Sequence, residues 1–93
     1  MKVKVDDLRG VDLDMAVHCA YRGELCDSPP RYSREWEKAG PVIRRHIAVL
    51  QAGSDGWLAT CGESSAFDVS PLVAAMRAYI KATFGDEMEY RDE

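Results

Sequence analysis

The sequence predicts an α+β domain in the order βαββαβ: one small, mainly antiparallel sheet with two helices covering one face. Three observations predict it. Met1 to Val5, MKVKV, alternates apolar and polar residues with the period of a half-buried strand. Ile47 to Cys61 holds two apolar runs around a glycine-rich turn, as a hairpin would. Ser70 to Gly85 reads as an amphipathic helix marked at both ends.

Taken in chain order, the first strand is broken by Asp6, Asp7 and Gly10. From Asp12 to Tyr21 the residues Leu13, Ala16, Val17, Ala20 and Tyr21 fall at helical spacing. Asp12 and Asp14 sit in the first turn, where the helix dipole favours acids, and Gly23 is the expected stop. Residues 24–41 form a long connection, because Pro29-Pro30 fits neither a helix interior nor a central strand. Within it Ser33 could cap one short helical turn anchored by Trp36, which Gly40-Pro41 should end. Ile47-Ala48-Val49-Leu50 is an apolar run and reads as a buried strand. Gly53-Ser54-Asp55-Gly56 supplies the turn, and Trp57 to Cys61 returns. Gly62 to Val69 reads as a polar surface loop. Ser70 then caps the second main helix, with Pro71 at its first position. Leu72, Val73, Met76, Tyr79, Ile80 and Phe84 make its apolar face, while Arg77 and Lys81 are expected on the wet one. Gly85 should close it in the left-handed conformation, and Glu87 to Arg91 alternates like a short last strand.

Ninety-three residues allow one domain, 1–93, with the long loop at 24–41 and an acidic end at 86–93. A chain of this size buries only about 60–65% of its unfolded surface, so each large apolar side chain matters. No apolar run approaches the roughly 20 residues of a membrane helix, and no apolar segment follows the first lysines, so the expected compartment is the cytoplasm. In that compartment Cys19, Cys26 and Cys61 are expected to be free thiols. The net charge is −4, and residues 86–93 carry five acids and one base. Residues 22–46 carry six Arg/Lys against four Asp/Glu, a small excess for a nucleic-acid footprint.

The chemistry-bearing residues do not assemble into a reaction. A zinc site would draw on His18, Cys19, Cys26, His46 and Cys61, but Cys19 and Cys26 lack the two-to-four spacing of a knuckle. Core thiols and a surface histidine are the expectation. His46 and Cys61 could meet across the hairpin, yet nothing marks that cysteine as activated. Asp12/Asp14 and Glu35/Glu37 are two apart on helical turns, so they diverge as solvated faces. No glycine-rich phosphate loop occurs. Neither an enzyme nor a cofactor or metal is expected.

One segment suggests binding. Arg31, Tyr32, Arg34 and Trp36, with Arg44 and Arg45, are residue types that anchor interfaces and stack on bases. They fit a non-enzymatic module for a protein partner, or alternatively a small nucleic-acid-binding module on Arg31 to His46. The negative overall charge makes nucleic acid the less favoured partner. Tyr32 and Trp36 could equally pin the long loop to the core. Oligomeric state stays open, since an exposed edge strand can pair between copies.

Three segments in one order carry a family likeness: Leu8-Arg9-Gly10 with Leu13-Asp14-Met15-Ala16-Val17; Arg31-Tyr32-Ser33, Trp36, Gly40-Pro41-Val42-Ile43, Ile47 and Trp57; and Ser70-Pro71 through Tyr79 to Gly85-Asp86-Glu87. In this order they resemble the NinX-like proteins of lambdoid and related phages and prophages, over nearly the whole chain. That family tends to carry a glycine pair before the proline, where this chain has Ala39-Gly40. It often has an acid after the Ile-Ile-like pair, where Arg44-Arg45 stands here. The resemblance implies a phage accessory protein in a bacterial cytoplasm. It implies no catalytic residues.

Overall fold

In the computed structural model, which describes residues 2–23 and 28–89, the longest helix lies between two layers rather than on one. This helix, α3 (Pro71–Phe84), packs on one side against a three-stranded antiparallel sheet. The sheet is β2 (Val49–Ala52), β3 (Trp57–Cys61) and β4 (Ser64–Asp68), in that order. On its other side α3 meets α1 (Gly10–Arg22) and α2 (Trp36–His46). A second, two-stranded sheet pairs β1 (Lys2–Lys4) antiparallel with β5 (Glu87–Glu89). The mixed helix-and-sheet class agrees with the sequence, but the arrangement differs: among the described residues three α-helices and two small sheets replace two helices on one sheet.

The central position of α3 explains its composition. Residues 74–80 are all buried, so no face is left wet. Ala74, Ala75 and Ala78 let neighbouring layers approach closely, while Met76 and Ile80 fill the space between them. Ser70 caps the helix as expected, its Oγ accepting from Val73 N at 3.4 Å with Pro71 at the first position. Gly85 ends it at φ 90° and ψ −171°, an extended glycine conformation rather than the left-handed helical one. Phe84, assigned to the apolar face, is exposed.

Arg77 is the largest departure within α3. Expected on the wet face, it is only 3% exposed. Its Nε donates to the Leu8 carbonyl at 3.0 Å, and an Nη donates to Asp68 Oδ1 at 3.1 Å. The helical period assigns a charged residue to water, but here a carbonyl and a carboxylate from other segments take its Nε and Nη1 inside, while Nη2 is buried with no hydrogen-bond partner among the described residues. Lys81 is also half-buried: its Nζ lies 2.9 Å from Asp6 and donates to the Ser65 carbonyl at 3.0 Å.

Two further boundaries move. The helix expected to stop at Gly40-Pro41 runs through both to His46. Pro41 removes the donor for the Glu37 carbonyl, on an exposed turn open to water. Continuing the helix buries Ala39 and Val42 completely and packs Ile43 on the core, and that packing outweighs one lost bond. The residues given as a surface loop, 62–69, contain β4. Gly62, at φ 62°, opens the two-residue turn between the paired Cys61 and Ser64, as tight hairpins require. The expected buried strand at 47–50 instead starts at Val49 and is mostly exposed. Of the longer last strand expected at 87–91, residues 90 and 91 lie outside the described residues, as does Cys26.

Side chains alternate across the three-stranded sheet. Ala59, Cys61 and Ala66 face α3, while Val49, Leu58 and Phe67 stand exposed on the outer face. Gly56 sits where β4 comes closest to the turn: a Cβ there would lie 2.6 Å from the Asp68 carbonyl oxygen and 2.9 Å from the Phe67 ring. Asp68 is fixed by its bonds to Arg77 and Ser70, so its backbone cannot retreat. Gly56→Ala should therefore lower stability by about 1–3 kcal/mol in urea unfolding. A change below about 0.5 kcal/mol, typical of a free surface site, would mean that the end of β4 moves freely.

Candidate functional site

The segment that sequence reading singled out is presented by two elements, and the way each is held decides which side chains face out. Residues 28–35 are the described part of the connection that leads into α2. Two buried contacts dock them on α1: Ser33 N donates to Asp14 Oδ1 at 2.8 Å, and the Tyr32 hydroxyl lies 3.1 Å from His18 Nδ1. Asp14 and His18 are four apart, hence on one helix face. A tight turn follows, with the Arg31 carbonyl accepting from Arg34 N and Glu35 N at 3.0 and 2.8 Å. With Tyr32 and Ser33 turned inward, Arg31 and Arg34 are left in solvent.

In α2 the inner stripe is Ala39, Val42 and half-buried Ile43. Trp36, Glu37, Lys38, Pro41, Arg44 and Arg45 are exposed. Arg44, Arg45 and His46 fill the last turn, where cations complement the helix dipole. His46 is exposed, yet its ring centroid is 4.7 Å from that of Tyr79 and 6.0 Å from that of Tyr21, so it seats the end of α2 on α3 and α1.

The two aromatic candidates separate. Tyr32 is 4% exposed and belongs to the core, so it is not available as a surface contact. Trp36 is 56% exposed and stands outside the core cluster. The outward set is therefore Arg31, Arg34, Trp36, Arg44 and Arg45, joined by Lys38, which sequence reading left out. Ser33 does not cap α2: Glu35 holds that position with no side-chain bond, and the Ser33 backbone serves Asp14 instead.

Asp14 corrects the sequence reading. Asp14, assigned to a solvated face with Asp12, is fully buried. Of the two histidines, His46 is exposed, as expected of one of them, and His18 is only 8% exposed. The signal for both lay in the spacing, since Asp14, Val17, His18 and Tyr21 make one continuous helical stripe beside Leu13 and Ala16.

Burial pushes the Cys61 thiol above its ordinary value, the opposite of an activated nucleophile. Burial also raises Tyr79, with Cys61, Tyr21 and Tyr32 adding to the rise and Arg45 opposing it. Among the described residues no group of three His, Cys, Asp or Glu could hold a metal ion. No described helix is long and apolar enough to cross a membrane.

No curated protein matches the chain. A family model does: that of bacteriophage P22 NinX, over residues 18–82. The match takes in the Arg31 to His46 surface, all of β2, β3 and β4, and α3 except its last residues. With most of its length and its whole candidate surface inside that match, the chain belongs to the bacteriophage P22 NinX family.

Proposed function

We propose that this NinX-family chain is a non-enzymatic phage accessory protein that binds a host or phage protein in the bacterial cytoplasm. The surface used is Arg31, Arg34, Trp36, Lys38, Arg44 and Arg45. Trp36 carries this reading: a large indole more than half in water, with arginines before and after it in the chain and no place in the core. Tryptophan and arginine are the residue types most enriched where interfaces hold their binding energy. The partner surface should be acidic, because residues 31–46 carry five Arg/Lys against two Glu in a chain of net charge −4.

The same basic excess supports the second reading, a nucleic-acid module. Burial of Tyr32 weakens it, since Trp36 is then the one aromatic of this segment able to stack on a base.

Trp36→Ala should change stability by about 1 kcal/mol or less, because its ring is mostly solvated. A tagged pull-down from infected and uninfected host lysate, with and without nuclease, should yield a stoichiometric protein with the wild type. The folded Trp36→Ala/Arg44→Glu variant should lose it. Recovery that depends on nucleic acid would support the second reading. Unfolding of Trp36→Ala would make the indole a structural anchor and remove the surface.

A further inference from the structure

The three-stranded sheet ends in two edges of different chemistry. At β4, Cys61 pairs with Ser64 across a two-residue turn, so Ala66 and Asp68 bond inward to β3 while Ser65 and Phe67 turn their backbone groups outward. Lys81 occupies that edge: its Nζ donates to the Ser65 carbonyl and is held in place by Asp6. A lysine laid across an edge is a common block to further pairing.

The β2 edge has no such block. The same alternation gives Leu58 and Thr60 to Gln51 and Val49, which leaves the N–H and C=O of Leu50 and Ala52 directed away from the sheet. Among the described residues nothing hydrogen-bonds to them there. The strand Val49-Leu50-Gln51-Ala52 is largely exposed and holds neither charge nor proline, so it lacks the residues that protect edges elsewhere.

We propose that β2 pairs antiparallel with the β2 of a second copy of this chain, joining the two sheets into one. A two-fold axis at Gln51 fits the outward groups: Leu50 then faces Ala52 of the second copy, and each such pair exchanges both backbone bonds. Gln51 faces its own counterpart, neutral against neutral. Antiparallel pairing also brings the turn after β2, which holds exposed Asp55, to the end of the second copy's β2 that follows the basic last turn of its α2, Arg44, Arg45 and His46. Charge complementarity at both ends of the paired strands therefore favours a second copy over a strand of unrelated sequence. Pairing through β4 would instead have to displace Lys81.

Sedimentation and native mass spectrometry of the full chain from about 1 µM to about 1 mM, the range of weak specific association, test this. The wild type should form a dimer as concentration rises. Gln51→Lys and Gln51→Glu should each weaken it about tenfold, since like charges then face each other at close range, and mixing the two should restore a mixed dimer. Ala52→Pro removes an outward N–H that β3 does not use, so it should weaken the dimer similarly while leaving the far-UV circular dichroism unchanged. A monomer throughout the range would overturn the proposal and leave the edge to a strand of another protein. A dimer indifferent to all three substitutions would overturn it too.

Discussion

Replacing Arg77 with methionine should remove about 3 kcal/mol of stability. The guanidinium lies almost wholly inside, and its partners come from distant parts of the chain: the Leu8 carbonyl before α1 and the Asp68 carboxylate at the end of β4. Methionine keeps most of the aliphatic volume, so the loss is electrostatic rather than a cavity. It strands a buried carbonyl and leaves one carboxylate oxygen without its cation. Removing one partner of a buried pair costs about 3–5 kcal/mol, and the lower figure applies because Asp68 is partly solvated. A domain of this length has roughly 5–14 kcal/mol in total, so the urea midpoint should fall steeply. Asp68→Asn and the double variant complete a cycle whose coupling should be about 1–3 kcal/mol, as expected for neighbours in one network. A cycle that closes to zero would show the pair to be screened by water. Asp68 Oδ2 also accepts from Ser70 N, so the same carboxylate supports the start of α3 and ties helix, sheet and N-terminal segment together.

Which parts of this molecule the sequence could reveal follows from where the packing partners lie. Ser70-Pro71 and Gly85 bound α3 whatever surrounds it, because caps are local. The β2–β3 hairpin is legible for the same reason: turn residues sit between two apolar runs. β4 is not, because Ser64-Ser65-Ala66-Phe67-Asp68 shows no apolar face. Its inward residue is a small alanine, since α3 comes close, and its one large residue, Phe67, points out beside Gly56. α2 fails as a sequence reading at Gly40-Pro41, where burial of Ala39 and Val42 outweighs a local break. Arg77 fails because its acceptors lie 69 and 9 residues away, which no helical period can report. Of the candidate surface, the exposed arginines and Trp36 were legible as types. That Tyr32 turns inward while Trp36 stays out depends on a histidine fourteen residues earlier.

Asp14 offers the sharpest separation of surface from support. It is fully buried, and among the described residues its one hydrogen bond is from Ser33 N; its other oxygen and the Ser33 hydroxyl are buried without partners. Asp14→Ala should therefore cost about 2–3 kcal/mol, leaving a buried backbone N–H with nothing to bond. Asp14→Asn should stay within about 1 kcal/mol of the wild type, since the amide oxygen still accepts from Ser33 while a poorly satisfied buried charge disappears. Urea unfolding gives both values, and exchange of the Ser33 amide hydrogen should speed up in the alanine variant alone. Equal losses in the two variants would mean that the negative charge, not the accepted bond, holds the segment. The consequence reaches the proposed binding surface through geometry, because Ser33 and Tyr32 are the points at which the 28–35 segment is fastened to α1. Release of that fastening frees the backbone that aims Arg31 and Arg34, neither of which touches Asp14. Capture of an acidic partner should then weaken in Asp14→Ala under conditions where the domain is still folded, and persist in Asp14→Asn. Trp36, carried by α2 on its own buried stripe, should remain in place in both.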